Sequence, residues 1–306
     1  MLKDKINVIL SDINNWSAPA VTDDMPKGDM PGDKIAIGED HIKKASKIFP
    51  KLIKLIADAD SDKVVVSVFG GSGVGKSETA SLLAHYLKAA GVGVYVLSGD
   101  NYPRRIPLYN DAERLSVFRS AGLKGIVSLG CYDNSVKEEL AKLWSAETDA
   151  DPKEAESRDW LFNYQAAGRR ALRGYLGTPA EQDYDEINAI IEAFKRGDKD
   201  IFLKRMGRTE DERWYDKVSF ADISVLIIEW THGGNENLRN VYIPILLNST
   251  PEETKEHRKL RARDGKTDSA FTTMVLEIEQ EELDRVGKKA KIIMAKSGEF
   301  IDPAKF

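Results

Sequence analysis

Cys131 is the only cysteine in 306 residues. No intrachain disulfide can form, which fits a reducing compartment, and a cytoplasmic location is expected. The four histidines, His41, His85, His232 and His257, lie far apart with no metal-ligand spacing. A metal site built from protein nitrogen or sulfur is therefore not expected. Positive charge is not in excess: 45 Lys and Arg stand against 50 Asp and Glu, a net charge of −5. That leaves no global basic footprint for nucleic acid. No apolar run is long enough to span a bilayer, and the charged start, Met1 to Val8, does not read as a secretory signal. Repeats and low-complexity tracts are missing, as is the N-K-x-D pattern by which a GTPase reads its base. What remains is the ordinary composition of a globular chain with one large or two small domains.

One stretch then stands out. Gly70-Gly71-Ser72-Gly73-Val74-Gly75-Lys76-Ser77 satisfies the phosphate-loop pattern G-x-x-x-x-G-K-[ST] in full. A β-branched run, Val64-Val65-Val66-Ser67-Val68, precedes it, and a helix-compatible stretch from Glu78 to Leu87 follows. Strand, loop and helix together are the context the pattern needs. Glycines let backbone N–H groups close around a polyphosphate, and the helix N-terminus adds partial positive charge. The backbone from Gly70 to Ser77, with Glu78 next to it, is expected to bind a nucleoside triphosphate. Lys76 would reach the β- and γ-phosphates, and the Ser77 hydroxyl would hold Mg²⁺.

The pattern predicts an α/β fold of the phosphate-loop NTPase type: a doubly wound parallel sheet flanked by helices, with a long, mainly helical insertion. Strands are predicted at Lys63–Phe69, Val94–Ser98, Ile223–Ile228, Tyr242–Leu247 and Lys289–Ala295. Residues 1–60 read as an N-terminal extension, irregular to about residue 35, with a helix over 40–58 that Pro50 kinks or divides. Residues 61–306 read as the phosphate-loop domain, with residues 101–220 an insertion on the acceptor side. Capping boxes are predicted at Ser135–Glu138 and Thr250–Glu253, and a helix from Asp185 to Arg196 stops at Gly197.

The chemistry should sit at the carboxyl ends of the strands. Asp100, closing the second strand, can accept a proton from an attacking hydroxyl or help hold Mg²⁺. Glu229, at the end of the 223–228 run, can support the metal; Asp133 is a weaker competitor. Arg258, Arg261 and Arg263 could close over the phosphates, although a solvated basic helix face reads nearly as well. Arg104 and Arg105 could bind an anionic acceptor, with Tyr102 and Arg208 on the same side. Arg169, Arg170 and Arg173 read as a surface helix face.

Several segments, in order, resemble the phosphoribulokinase/uridine kinase family. They are the loop Gly70–Ser77; Leu97-Ser98-Gly99-Asp100-Asn101-Tyr102; Gly177–Asp185 with the helix ending Phe194-Lys195-Arg196-Gly197; Ile227-Ile228-Glu229; Arg261-Ala262-Arg263-Asp264; and Lys289–Glu299. The resemblance covers roughly residues 63 to 300. It implies an ATP- and Mg²⁺-dependent kinase of a small-molecule hydroxyl, with Asp100 as the base and lid arginines from the 261–264 segment. It departs on the acceptor side. Thr178 stands where the family has His, Trp230 where it has Gly, and Phe202–Arg208 where uridine kinases carry Tyr-Asp-Phe. Gly99-Asp100-Asn101 also resembles adenylylsulfate kinases, which are shorter and lack the long insertion. A regulatory ATPase or nucleotide switch is the alternative of another class. A homodimer is compatible with the sequence.

Overall fold

A computed structural model describes residues 1–22, 24–261 and 269–306. Five parallel strands and one antiparallel edge strand form the main sheet: β1 (Val64–Gly70), β2 (Val94–Ser98), β5 (Val225–Glu229), β6 (Ile243–Asn248), β7 (Ile292–Ala295) and β8 (Phe300–Ile301). Their order is β2-β5-β1-β6-β7-β8. A separate two-stranded sheet pairs β3 (Asp200–Met206) with β4 (Arg213–Ser219). β1 is buried along its whole length. Its side chains alternate, as a pleated strand requires: Val64, Val66 and Val68 join one core cluster, Val65 another and Phe69 a third. Burial on both faces explains why a run of consecutive valines marks the central strand.

One face is covered by α1 (Leu2–Ser11), α2 (Glu39–Ala57) and α3 (Lys76–Ala89). The opposite face carries α8 (Tyr184–Arg196), whose Ile187, Ile190, Ile191 and Phe194 pack on Leu97, Leu226 and Ile228. α10 (Ala270–Gly287) lies against Phe69, Leu246 and Ile293 through Leu283 and Val286. The other end of α10 joins the insertion core, built from α4 (Pro107–Ser128), α5 (Asn134–Ala146) and α7 (Asp159–Arg173). Two short α-helices complete the set among the described residues, α6 (Pro152–Ala155) and α9 (Lys255–Arg261).

Several sequence expectations need correction. Residues 1–35 are not wholly irregular: α1 packs Leu2 and Ile6 into the core. Pro50 does not divide α2, because the burial of Ile48, Phe49, Leu52 and Ile53 outweighs the one helix hydrogen bond it removes. α5 is capped by Asp133, whose side chain accepts from the Val136 N–H, and not by Ser135. The Thr250–Glu253 box forms both its hydrogen bonds but heads a turn, and α9 starts at Lys255. The insertion contains the β3–β4 hairpin, which alternation did not reveal because six of the seven positions of β4 are exposed and one is half-buried.

Candidate active site

β1 ends at the phosphate loop and α3 begins at Lys76, so the loop links the central strand to a helix N-terminus. Gly75 has φ 93°, and a Cβ there would lie 2.9 Å from the His41 ring. Both observations require glycine. Lys76 folds back over the loop, its Nζ donating to the Gly71 carbonyl oxygen at 3.0 Å. The ammonium is thereby held above the cradle that a polyphosphate would fill.

Parallel pairing places Glu229 of β5 beside Val68 of β1 and Ser98 of β2. The carboxylate is buried and bridges two hydroxyls. Ser77 Oγ donates to Oε2 at 3.0 Å, and Ser98 Oγ donates to Oε1 at 2.6 Å. Burial first, then the nearby Asp100 charge, pushes the Glu229 carboxyl up to about 8. Asp100 lies on the single helical turn Gly99–Asn101 that closes β2, and it is exposed. The pair thus has one acid sunk against the loop and one facing outward. Hard oxygen ligands from Ser77 and Glu229, with a second acid beside them, suit Mg²⁺.

The side of the site toward residues 101–220 is built from longer-range contacts. Gly99 is tightly roofed, for a Cβ there would lie 2.0 Å from Trp230. Trp230 is buried, packing its ring near Tyr184 and edge-on to His232. Glu181 is fully buried and accepts from Arg114 at 2.6 Å and from the Gly177 N–H at 2.7 Å. Burial alone would raise its carboxyl, but Arg114, His232 and those hydrogen bonds hold it below the usual range. His232 is driven down to about 4, chiefly by burial. Glu279 of α10, 3.5 Å from Arg114, is raised by burial and also feels Lys76 and Asp100. Sequence reasoning missed Glu181, His232 and Glu279 because their charged partners are about 50 to 170 residues away in the chain.

Three cavities border this region. One of about 380 Å³ is lined by Arg104, Asp183, Glu186, Lys204, Arg213, Trp214 and Tyr215. A second, about 490 Å³, shares Arg104 and Arg213 and adds Arg105, Tyr109 and Glu113. A third, about 240 Å³, lies under α10 beside His232, Asn235 and Glu279.

The expected residues sort accordingly. The loop, Lys76, Ser77, Glu78, Glu229 and Asp100 come together at the carboxyl edge. Arg104 and Arg105 line the cavities of the insertion, with Arg104 donating to the Pro179 carbonyl at 2.6 Å. Tyr102 does not face a ligand: it has no exposed surface and packs among Leu97, Tyr184 and Trp230. Arg208 is exposed in the β3–β4 turn and lines none of these three cavities. Arg258 reaches the loop, since a Cβ on Gly73 would come 3.0 Å from its Cγ. Arg261 ends α9 with its side chain outside the description, and Arg263 lies outside the described residues. Asp133 caps α5. Arg169 and Arg173 pair with Glu277 and Glu281 of α10 on the surface.

No protein-family profile matches the chain. The bifunctional α-galactosidase/sucrose kinase AgaSK of Mediterraneibacter gnavus is 36% identical to it over 258 residues. That match covers 84% of this chain and 23% of AgaSK, so the chain spans about a quarter of that relative's length. Among solved structures, a protein described as a fructose transport system kinase, from Silicibacter sp. TM1040, overlaps 82% of this chain and 95% of its own. Its TM-score is 0.43 at 15% identity. A protein described as a uridine kinase, from Bacillus stearothermophilus, overlaps 82% of this chain and 96% of its own, with TM-score 0.39 and 14% identity. Overlap that loose bears on neither substrate nor mechanism.

Proposed function

We propose that the chain is an ATP- and Mg²⁺-dependent kinase that transfers the γ-phosphoryl group to a hydroxyl of a sugar. The observation that carries this reading is the placement of exposed Asp100 beside the buried Ser77–Glu229 pair at the mouth of the phosphate loop. The likeness to AgaSK supports it. Of the two activities in that protein's name, phosphoryl transfer is the one a phosphate loop serves.

Each residue then has a task. The loop N–H groups and Lys76 bind the β- and γ-phosphates. Ser77 and Glu229 would hold Mg²⁺, which neutralises phosphate charge when bound. Asp100 takes the proton from the acceptor hydroxyl as the phosphoryl group moves across. Arg258, with its stem over Gly73, would neutralise phosphate charge from that side of the loop. Because this transfer depends on positioning and charge, the insertion must hold the sugar in line with the γ-phosphate. The cleft at Arg104 offers aromatic faces, Trp214 and Tyr215, next to Asp183, Glu186 and Lys204. Such a mixture of flat apolar rings and charged hydrogen-bonding groups suits a polyhydroxyl ligand.

The test is a transfer assay with Mg²⁺ and ATP against sucrose, fructose, other sugars, sugar phosphates, nucleosides and adenylylsulfate, reading phosphorylated product by phosphorus NMR. A phosphorylated sugar is expected, with product lost on chelating Mg²⁺. Transfer to adenylylsulfate or to a nucleoside alone would refute the sugar assignment. Hydrolysis of ATP at a rate indifferent to every acceptor would refute the kinase and favour a regulatory ATPase.

A further inference from the structure

Residues 24–38 run as an irregular segment between α1 and α2, outside the stretch that carries the family resemblance. This segment crosses the carboxyl end of β2 and β5. At Gly28 the backbone lies so close to Glu229 that a Cβ would fall 2.9 Å from Oε1 and 3.6 Å from the Ser98 Cβ. The next residue, Asp29, is almost wholly buried, with 9% of its side chain exposed. Its carboxylate accepts four hydrogen bonds. Oδ1 takes the Ser98 N–H at 2.8 Å and the Asn101 side-chain amide at 3.0 Å. Oδ2 takes the Tyr95 hydroxyl and Arg205 Nη1, each at 2.8 Å.

Ser98 and Asn101 are the two ends of the turn that carries Asp100. β2 is an edge strand, so the Ser98 N–H has no neighbouring strand to bond on that side. Asp29 supplies the acceptor and clamps both ends of the turn with one oxygen. Asn101, also buried, passes the constraint on: its side-chain oxygen Oδ1 accepts from the Met206 N–H at 3.0 Å. Ser98 in turn donates to Glu229. The segment therefore touches both acids of the site, covering one and fixing the mount of the other.

We propose that Asp29 is a positioning residue for Asp100, and that the Gly28–Asp29 segment is a working part of the active site. Its effect on turnover rests on the kinase reading; its effect on the turn does not. The test compares Asp29→Ala with Arg205→Met, which removes the ion pair but keeps the bonds from Asp29 to Ser98 and Asn101. Hydrogen exchange measured by mass spectrometry is read on a peptide spanning 97–102 and on a core peptide spanning 64–70. Steady-state kinetics follow on the sugar that the wild type phosphorylates.

Asp29→Ala is expected to speed exchange at 97–102 by about tenfold or more, leaving 64–70 protected. It should lower kcat by about tenfold or more while KM for ATP stays within about threefold. Arg205→Met should leave both readings within about threefold of wild type. Unchanged exchange at 97–102 in Asp29→Ala would overturn the proposal. So would Arg205→Met reproducing the full effect, since Asp29 would then serve only the ion pair. If Asp29→Ala does not fold, the double variant Asp29→Ala/Arg205→Met, which leaves no unpaired buried arginine, is judged by the same thresholds against Arg205→Met alone. If the wild type phosphorylates no sugar, the kinase reading fails, and the exchange result alone decides whether Asp29 fixes the turn.

Discussion

Replacing Glu229 by Gln should make the nucleotide-free protein more stable while abolishing its turnover. The Glu229 carboxyl is ordinarily near 4.5 and stands at about 8 in the folded chain. Between those values the native state holds a proton that the unfolded chain has released. Stability therefore falls as pH rises through that window, by about 1.4 kcal/mol for each step of one in pH. From pH 5 to pH 8 this single group withdraws at most about 3–4 kcal/mol. Local relaxation reduces penalties of this kind, so the variant is expected to gain about 1–3 kcal/mol at pH 8. Gln preserves the shape and can still accept from Ser77 or Ser98, whose hydroxyls can turn to accept in exchange. Denaturant titrations of both proteins at pH 5, 6.5 and 8 give the answer. The gap should be small at pH 5 and widen with pH, and Mg²⁺ with ATP should stabilise the wild type far more than the variant. A gap that is constant with pH, or a variant less stable at pH 8, would refute the reasoning.

Asp100→Asn should lower kcat about 10²- to 10⁴-fold with KM for ATP little changed, as steady-state kinetics would show; retention of full turnover would remove Asp100 as the base. Gly99→Ala should destabilise by about 2–4 kcal/mol in chemical denaturation, because its Cβ would collide with Trp230, and Trp230→Leu in the same chain should recover part of that loss. His232 is neutral in the fold down to about pH 4 against an ordinary 6.5, so its contribution is lost as pH falls through that interval. His232→Gln should flatten the acid limb of the stability curve, where the wild type gives up at most about 3 kcal/mol from this group.

The phosphate-loop half of the site was legible because it is local. The loop, the strand before it and the helix after it occupy one continuous stretch, and each residue there is dictated by backbone geometry and phosphate chemistry. Glu229 and Asp100 were readable as strand ends, since the valine- and isoleucine-rich runs before them show where the sheet stops. Glu181, Glu279 and His232 were not readable, because nothing near them in the chain marks them as buried or paired. Tyr102 misled for the opposite reason. Its neighbours belong to the site, but its own side chain turns inward. The β3–β4 hairpin escaped notice because β4 is exposed along nearly its whole length and lacks the apolar alternation of a half-buried strand. The 24–38 segment is rich in Pro, Gly and Asp and reads as a linker; only the fold brings Asp29 to β2.

Three buried carboxyls, Asp29, Glu229 and Glu279, are raised above their ordinary range, each first of all by burial. Buried acids cost stability unless paired, and an ordinary core would hold hydrocarbon instead. The pairing differs from one to the next. Asp29 has Arg205, and Glu279 shares Arg114 with Glu181. Glu229 accepts from two hydroxyls, those of Ser77 and Ser98, and lies near another acid, Asp100. Of the three, it is the one that a cation would complete. A fold that tolerates an under-compensated carboxyl at the mouth of a phosphate loop has given up stability at the place where Mg²⁺ and a triphosphate would restore it. Ligand binding and proton release should then be linked. Mg²⁺ with ATP should displace up to one proton from Glu229 below pH 8, and the heat of binding should vary with the ionisation enthalpy of the buffer. A binding heat that is the same in phosphate and in Tris would show that Glu229 is already ionised and would break the link.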